Sequence, residues 1–231
     1  MIARNGMPQG QLHNNLSPAP LWRLRLGAAL AALMSASAAL AHPHVFADVG
    51  LALALDADRQ VTSVEVTWRY DDFFSLLILE DMGLDPDGDG LLTPDELTAL
   101  ERFDLDNWYE GFEGDLYMYS GGAKLALGAP EFVSVSIDAG RITSVHRRSV
   151  QPAPADGLVI EPYDPTYYIA FEASLPITLP APCRATVHAP DLDAAAQKMQ
   201  AELAQIPEDQ FLEIEPGRDF ADRIEVTCAG S

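Results

Sequence analysis

"HVFADVGLALALDADRQVTSVEVTWRYD", His44 to Asp71, decides the fold class. Apolar residues return at every second position in "HVFADVGLALALD" and again in "VTSVEVTWRYD", many of them β-branched. That period belongs to half-buried strands, and "DADRQ" between the runs supplies a turn. Beyond Asp71 the period changes. "DDFFSLLILEDMG" (Asp71 to Gly83) carries Phe73, Phe74, Leu77, Ile78 and Asp81 at helical spacing, with Asp71 or Asp72 placed to cap the helix. A second helix is predicted over "TPDELTALERFDLDNWYEGF" (93–112), with Thr93 as cap and Pro94 in the first turn.

From Leu116 the chain returns to strands: "LYMYS", "AKLALGAPEFVSVSID", "RITSVHRRSVQP" and "TYYIAFEASL". Turns fall at Gly121-Gly122 and Asp138-Ala139-Gly140. A proline-rich link spans Pro176 to Pro182, "DLDAAAQKMQAELA" reads as a short helix, and "RIEVTC" as a closing strand. Strands predominate and the first two helices are grouped at one insertion. The expected fold is therefore α+β: a mostly antiparallel, sandwich-like β domain over residues 42–231, with a helix–EF-hand loop–helix unit inserted at about 71–110.

The inserted loop, "LDPDGDGLLTPDEL" (Leu84 to Leu97), matches D-x-[DN]-x-[DN]-G-x5-E when counted from Asp85. Asp85, Asp87 and Asp89 occupy positions 1, 3 and 5, and Gly90 permits the sharp turn at position 6. The Leu91 carbonyl then points inward at 7, Thr93 acts through a water at 9, and Glu96 closes the shell at 12. Leu92, at position 8, is the apolar residue expected to face the core. Without a cation the four carboxylates repel one another, a cost that Ca2+ relieves. EF-hand sensors work in pairs and this chain has one such loop, so calcium is expected as a staple for the helix pair rather than as a regulatory switch.

Residues 1–41 read as a secretory signal peptide: Arg23 and Arg25, the apolar run "LGAALAALMSASAAL", and an A-x-A exit at Ala39-Leu40-Ala41. An uncut N-terminal anchor is the alternative. The net charge is −21, and removing this segment takes away three arginines and no acid. So acidic a chain has little with which to neutralise phosphates, which speaks against nucleic acid and anionic lipid surfaces as partners. The two cysteines, Cys183 and Cys228, are expected to pair, closing a loop of about 45 residues worth on the order of 4 kcal/mol.

Cleavage after Ala41 leaves the α-amino group and imidazole of His42 as two nitrogens of one chelate, with the His44 imidazole two residues on. Pro43 has no N–H, which removes the amide-deprotonating copper(II) arrangement. The remaining set suits Zn2+, Ni2+, Co2+ or copper. "AHPHVFADV", "VTWRYDDFFSLLILEDMGLDPDGDGLLTPDEL" and "YDPTYYIAF" (Tyr163 to Phe171), in this order and spacing, resemble the DUF1007 family of bacterial periplasmic proteins. The resemblance spans nearly the whole chain after the leader. It implies a periplasmic accessory in divalent transition-metal handling, partnered with an inner-membrane NicO-type nickel/cobalt permease and linked to zinc acquisition. It implies no catalytic residues. No histidine-rich tract is present; beyond His44 only His146 and His188 remain in the exported part, far apart in sequence.

Two other classes stay open. A calcium-stapled interaction module would dock on a membrane permease without binding transition metal, with Tyr163, Asp164, Tyr167 and Tyr168 in its surface. An enzyme would need a third nitrogen beside His42 and His44, from His146 or His188. No Ser/His/Asp or Cys/His set is visible, so the chain is not expected to be an enzyme.

Overall fold

In a computed structural model, residues 43–106, 108–207 and 214–229 are described. The segment read as a signal peptide and His42 lie outside them. The first hairpin forms as the alternation requires: β1 (Val45–Leu55) pairs antiparallel with β2 (Gln60–Tyr70). Val45, Ala47, Val49, Leu51 and Leu53 are buried on one face. The turn is closed by the Asp56 carboxylate, which accepts from the Asp58 and Gln60 backbone N–H groups at 2.9 Å each.

The remaining strands are β3 (Leu116–Ser120), β4 (Ala123–Lys124), β5 (Glu131–Asp138), β6 (Arg141–Pro154), β7 (Val159–Pro162), β8 (Ile169–Glu172), β9 (Ile177–Thr178), β10 (Cys183–His188) and β11 (Arg223–Cys228). One sheet runs β5-β6-β2-β1-β8 with β9 also on β1, and the other runs β10-β11-β7-β3-β4. All pairings are antiparallel except those of β8 and β9 with β1. Side chains from both sheets, such as Val49, Val66 and Ile142 from the first and Met118, Ile160 and Ile224 from the second, enter one hydrophobic core. The mostly antiparallel, sandwich-like α+β architecture is as expected.

Helix α1 (Asp72–Met82) starts on Asp71, whose carboxylate accepts from the Phe74 N–H, and ends on Gly83 in the left-handed conformation. Its buried face is not the expected one. Ser75 and Leu79 are buried, with Phe74 and Ile78 partly so, whereas Phe73 is 72% and Leu77 50% exposed. Four consecutive apolar residues after Ser75 would allow more than one face to turn inward. The buried Ser75 hydroxyl, which accepts from the Ile142 N–H at 3.0 Å, is satisfied only in this one.

The second helix is shorter than predicted. Helix α2 (Pro94–Leu100) stops because the chain turns at Glu101 and Arg102 is left-handed, φ +63°. Residues 101–106 form turns that bury Leu105, and the Trp108 indole N–H donates to the Asp104 carbonyl at 2.9 Å. "AKLALGAPEFVSVSID" is likewise two strands, interrupted around Pro130. Helix α3 (Leu192–Leu203) and a 3-10 turn (Pro216–Phe220) complete the chain.

The disulfide Cys183–Cys228 is present, joining register partners on β10 and β11. Such a bond is the mark of an extracytoplasmic chain. Among the described residues no helix is long and apolar enough to cross a membrane.

Candidate metal centre

The acidic loop hangs between α1 and α2, held at one end by the Gly83 cap and at the other by a capping box. Thr93 is the N-cap of α2; its hydroxyl accepts from the Glu96 N–H while the Glu96 carboxylate accepts from the Thr93 N–H at 2.8 Å. Inside the loop, the Asp85 carboxylate accepts from the Asp89 and Gly90 N–H groups, both at 3.1 Å, and Asp89 accepts from Leu91 N–H at 2.8 Å. These bonds wind the backbone so that alternate side chains face one point.

Asp85, Asp87 and Asp89 each offer an oxygen, and the three lie within 4.8 Å of one another. Calcium–oxygen distances of about 2.3–2.6 Å allow oxygens on one ion to be up to ~5 Å apart, so these carboxylates fit a shared Ca2+. Among the described residues they form the one cluster of three metal-competent side chains.

Glu96 is not part of that cluster. Its Oε2 takes the Thr93 N–H and hydroxyl, and its Oε1 accepts from the Asp85 N–H at 3.1 Å. The Thr93 hydrogen bonds hold its carboxyl below the ordinary range. The position-12 acid thus already touches position 1, but by its backbone. Leu91 is 70% exposed, while Leu92 packs against the core as its position requires.

Among the described residues, His44, His146 and His188 are not brought together. His44 is exposed at the start of β1; its N–H donates to the Tyr168 carbonyl at 2.9 Å and its ring centre is 5.0 Å from that of Tyr168. His188 faces Glu225 on the second sheet, Nε2 to Oε2 3.5 Å. His146 is fully buried between Trp68 and Trp108, ring centres 4.7 and 5.9 Å away. Neither of its nitrogens has a hydrogen-bond partner among the described residues, and burial, with the Arg148 charge, pushes its pKa down to about 3.

Three stretches distant in sequence do converge. β1 lies between β2 and β8, so the start of the strand meets Asp71, which accepts from the Phe46 N–H at 2.7 Å, and the Tyr167–Ile169 segment. The Asp164 carboxylate organises that segment by accepting from the N–H groups of Thr166, Tyr168 and Ile169 at 2.9–3.0 Å.

This fold and loop define a class: a disulfide-closed, two-sheet α+β protein with a helix–acidic loop–helix insertion. Within it, the chain belongs to the DUF1007 family, described as a protein of unknown function, whose family model matches residues 27–228. No curated protein matches the chain.

Proposed function

We propose that the protein is a periplasmic accessory in divalent transition-metal transport, exported through its cleaved N-terminal segment and stapled by a calcium ion. The observation that carries the calcium part is the convergence of Asp85, Asp87 and Asp89. With the ion bound, those carboxylates, the Leu91 carbonyl, Thr93 through water, and Glu96 would hold it. Calcium there supplies charge neutralisation, fixing α1 against α2. The zinc, nickel or cobalt cargo is assigned to the His42 amine and imidazole with His44, and the docking partner to an inner-membrane permease. Support for this part comes from the residue chemistry and from the family likeness.

The second reading, a calcium-stapled docking module that binds no transition metal, is favoured by the exposed apolar face of α1, where Phe73, Leu76 and Leu77 are 72%, 54% and 50% exposed. Calorimetric titration with zinc, nickel and cobalt separates the two. Protein starting at His42 is compared with a form bearing one extra glycine before it and with His44→Ala. The accessory reading expects binding by the first and marked weakening in both others. Equal binding by all three, or none, overturns the histidine site and leaves the docking reading.

A further inference from the structure

A cavity of about 200 Å3 opens where the end of β2, α1, the turns after α2 and β8 meet. Its walls are aromatic: Trp68 and Tyr70 from β2, Phe74 from α1, Phe103 and Trp108 from the turns, and Phe171 from β8. The rings are mutually packed, with Trp68 to Phe171 at 5.5 Å, Tyr70 to Phe74 at 5.0 Å and Tyr70 to Phe103 at 5.7 Å between centres. Two acids, Asp104 and Asp115, break the pattern, and they differ. Asp115 is only 6% exposed, and its carboxylate is shifted by burial and the Asp164 charge, with no hydrogen bond from a described residue among the causes.

A nearly buried carboxylate without a donor is costly unless something compensates it. Nearby cations do not. Arg148 donates to the Gly128 and Glu113 carbonyls at 2.8 and 2.5 Å and stacks over Trp108. Lys124 is bound to Glu113, and Arg218 to Glu161 at 2.8 Å. The other acid in the cavity, Asp104, already accepts from the Tyr70 hydroxyl at 3.0 Å.

We propose that this cavity, with Asp115 as counter-ion and Trp68, Trp108 and Phe171 as walls, binds a small alkylammonium cation. Aromatic faces attract cations through their quadrupole and attract them more when water is excluded. The walls offer too few ligands for a metal: among the described lining residues Asp104 and Asp115 are the two carboxylates, with no histidine or cysteine, fewer than a zinc or calcium site needs. The volume holds about six atoms of water size, at ~30 Å3 each, which suits a tetramethylammonium or choline head. The site adjoins a wider cavity of about 520 Å3 that shares Phe112 and Asp115 and is lined by Glu113, Asp164 and Glu215 together with Lys124 and Arg218. With Lys124 tied to Glu113 and Arg218 to Glu161, Asp164 and Glu215 leave this approach negative, which favours cations.

The experiment is a calorimetric titration at about pH 9, where Asp115 is ionised, of purified protein, expressed with its own leader, using choline and tetramethylammonium. Its control is 3,3-dimethyl-1-butanol, choline's uncharged isostere, at matched ionic strength with calcium present. Saturable binding of both cations is expected, with the alcohol weaker by about ten-fold or more, as a desolvated cation–π contact requires. Asp115→Asn should lose about as much, and Trp108→Leu part of it. Equal binding of the alcohol would show an ordinary apolar pocket, and absence of saturable cation binding would show no site; either overturns the proposal. The choline–alcohol comparison uses the native protein, so it decides even if a variant folds poorly.

Discussion

Asp115→Asn should make the folded protein more stable at neutral and alkaline pH and leave it unchanged in acid. Burial, reinforced by the Asp164 charge, pushes the Asp115 carboxyl up from 3.8 to about 8. As pH rises through ~4 the unfolded chain releases this proton while the folded chain keeps it. The unfolded state then binds fewer protons, so stability falls with rising pH until the folded group ionises near pH 8. At ~1.4 kcal/mol per pH unit, the gap sets a ceiling on the order of 5 kcal/mol. Asparagine carries no such charge. It also tolerates the left-handed backbone at this position, φ +49°, which alanine or leucine would strain. Urea unfolding of both proteins, disulfide intact and calcium saturating, at several values from pH 4 to 9, gives the profile. The curves should meet near pH 4 and diverge above it, the variant higher. Other titrating groups are common to both, so parallel curves would refute the assignment of a buried, uncompensated acid at 115.

His146→Leu should behave in the opposite pH range. The buried imidazole resists protonation down to about 3 while the unfolded one accepts a proton near 6.5, so wild type loses stability as pH falls; the variant should be about 2–3 kcal/mol ahead at pH 4.5 and within ~1 kcal/mol of wild type at pH 8, by urea melts. Cys183→Ser with Cys228→Ser should cost about 4 kcal/mol, measured by the same melts without reductant. In the loop, millimolar calcium should raise the melting temperature of wild type and not that of Asp85→Ala or Glu96→Gln. The glutamine change is the sharper one, because it can keep the capping box with Thr93 and removes only the charge offered to the ion.

What the sequence disclosed is local. The alternation of Val45 to Leu53 names a strand and its buried face without reference to a partner, and the Asp85–Glu96 spacing names a loop because its ligands lie within twelve residues. The closing strand and the two cysteines were legible for the same reason, one from its own period and the other from parity. What it concealed depends on partners far along the chain. β7 is four residues long and acquires meaning only between β3 and β11. Phe73, Phe74, Leu77 and Ile78 fit a helix equally well whichever side faces inward; the choice was made by Ser75 against Ile142, 67 positions later. The premature end of α2 has its sign in Arg102, a residue with no special claim to the left-handed region. Asp115, a single acid in an acidic chain, carries no sequence signal at all, since its isolation comes from walls built by several separate segments.

The central place of β1 has a consequence for assembly. It is the first described strand, yet it is flanked on one side by its hairpin neighbour and on the other by residues 169–172 and 177–178. More than a hundred residues must therefore be available before its second edge is satisfied. Until then a run of apolar side chains and open amide groups stays unpaired, the situation in which foreign strands add themselves. A chain wired in this way folds slowly for its size, because long loops must close before their contacts repay the entropy. It stands to gain from a companion that shields its leading edge until the last parallel strand arrives.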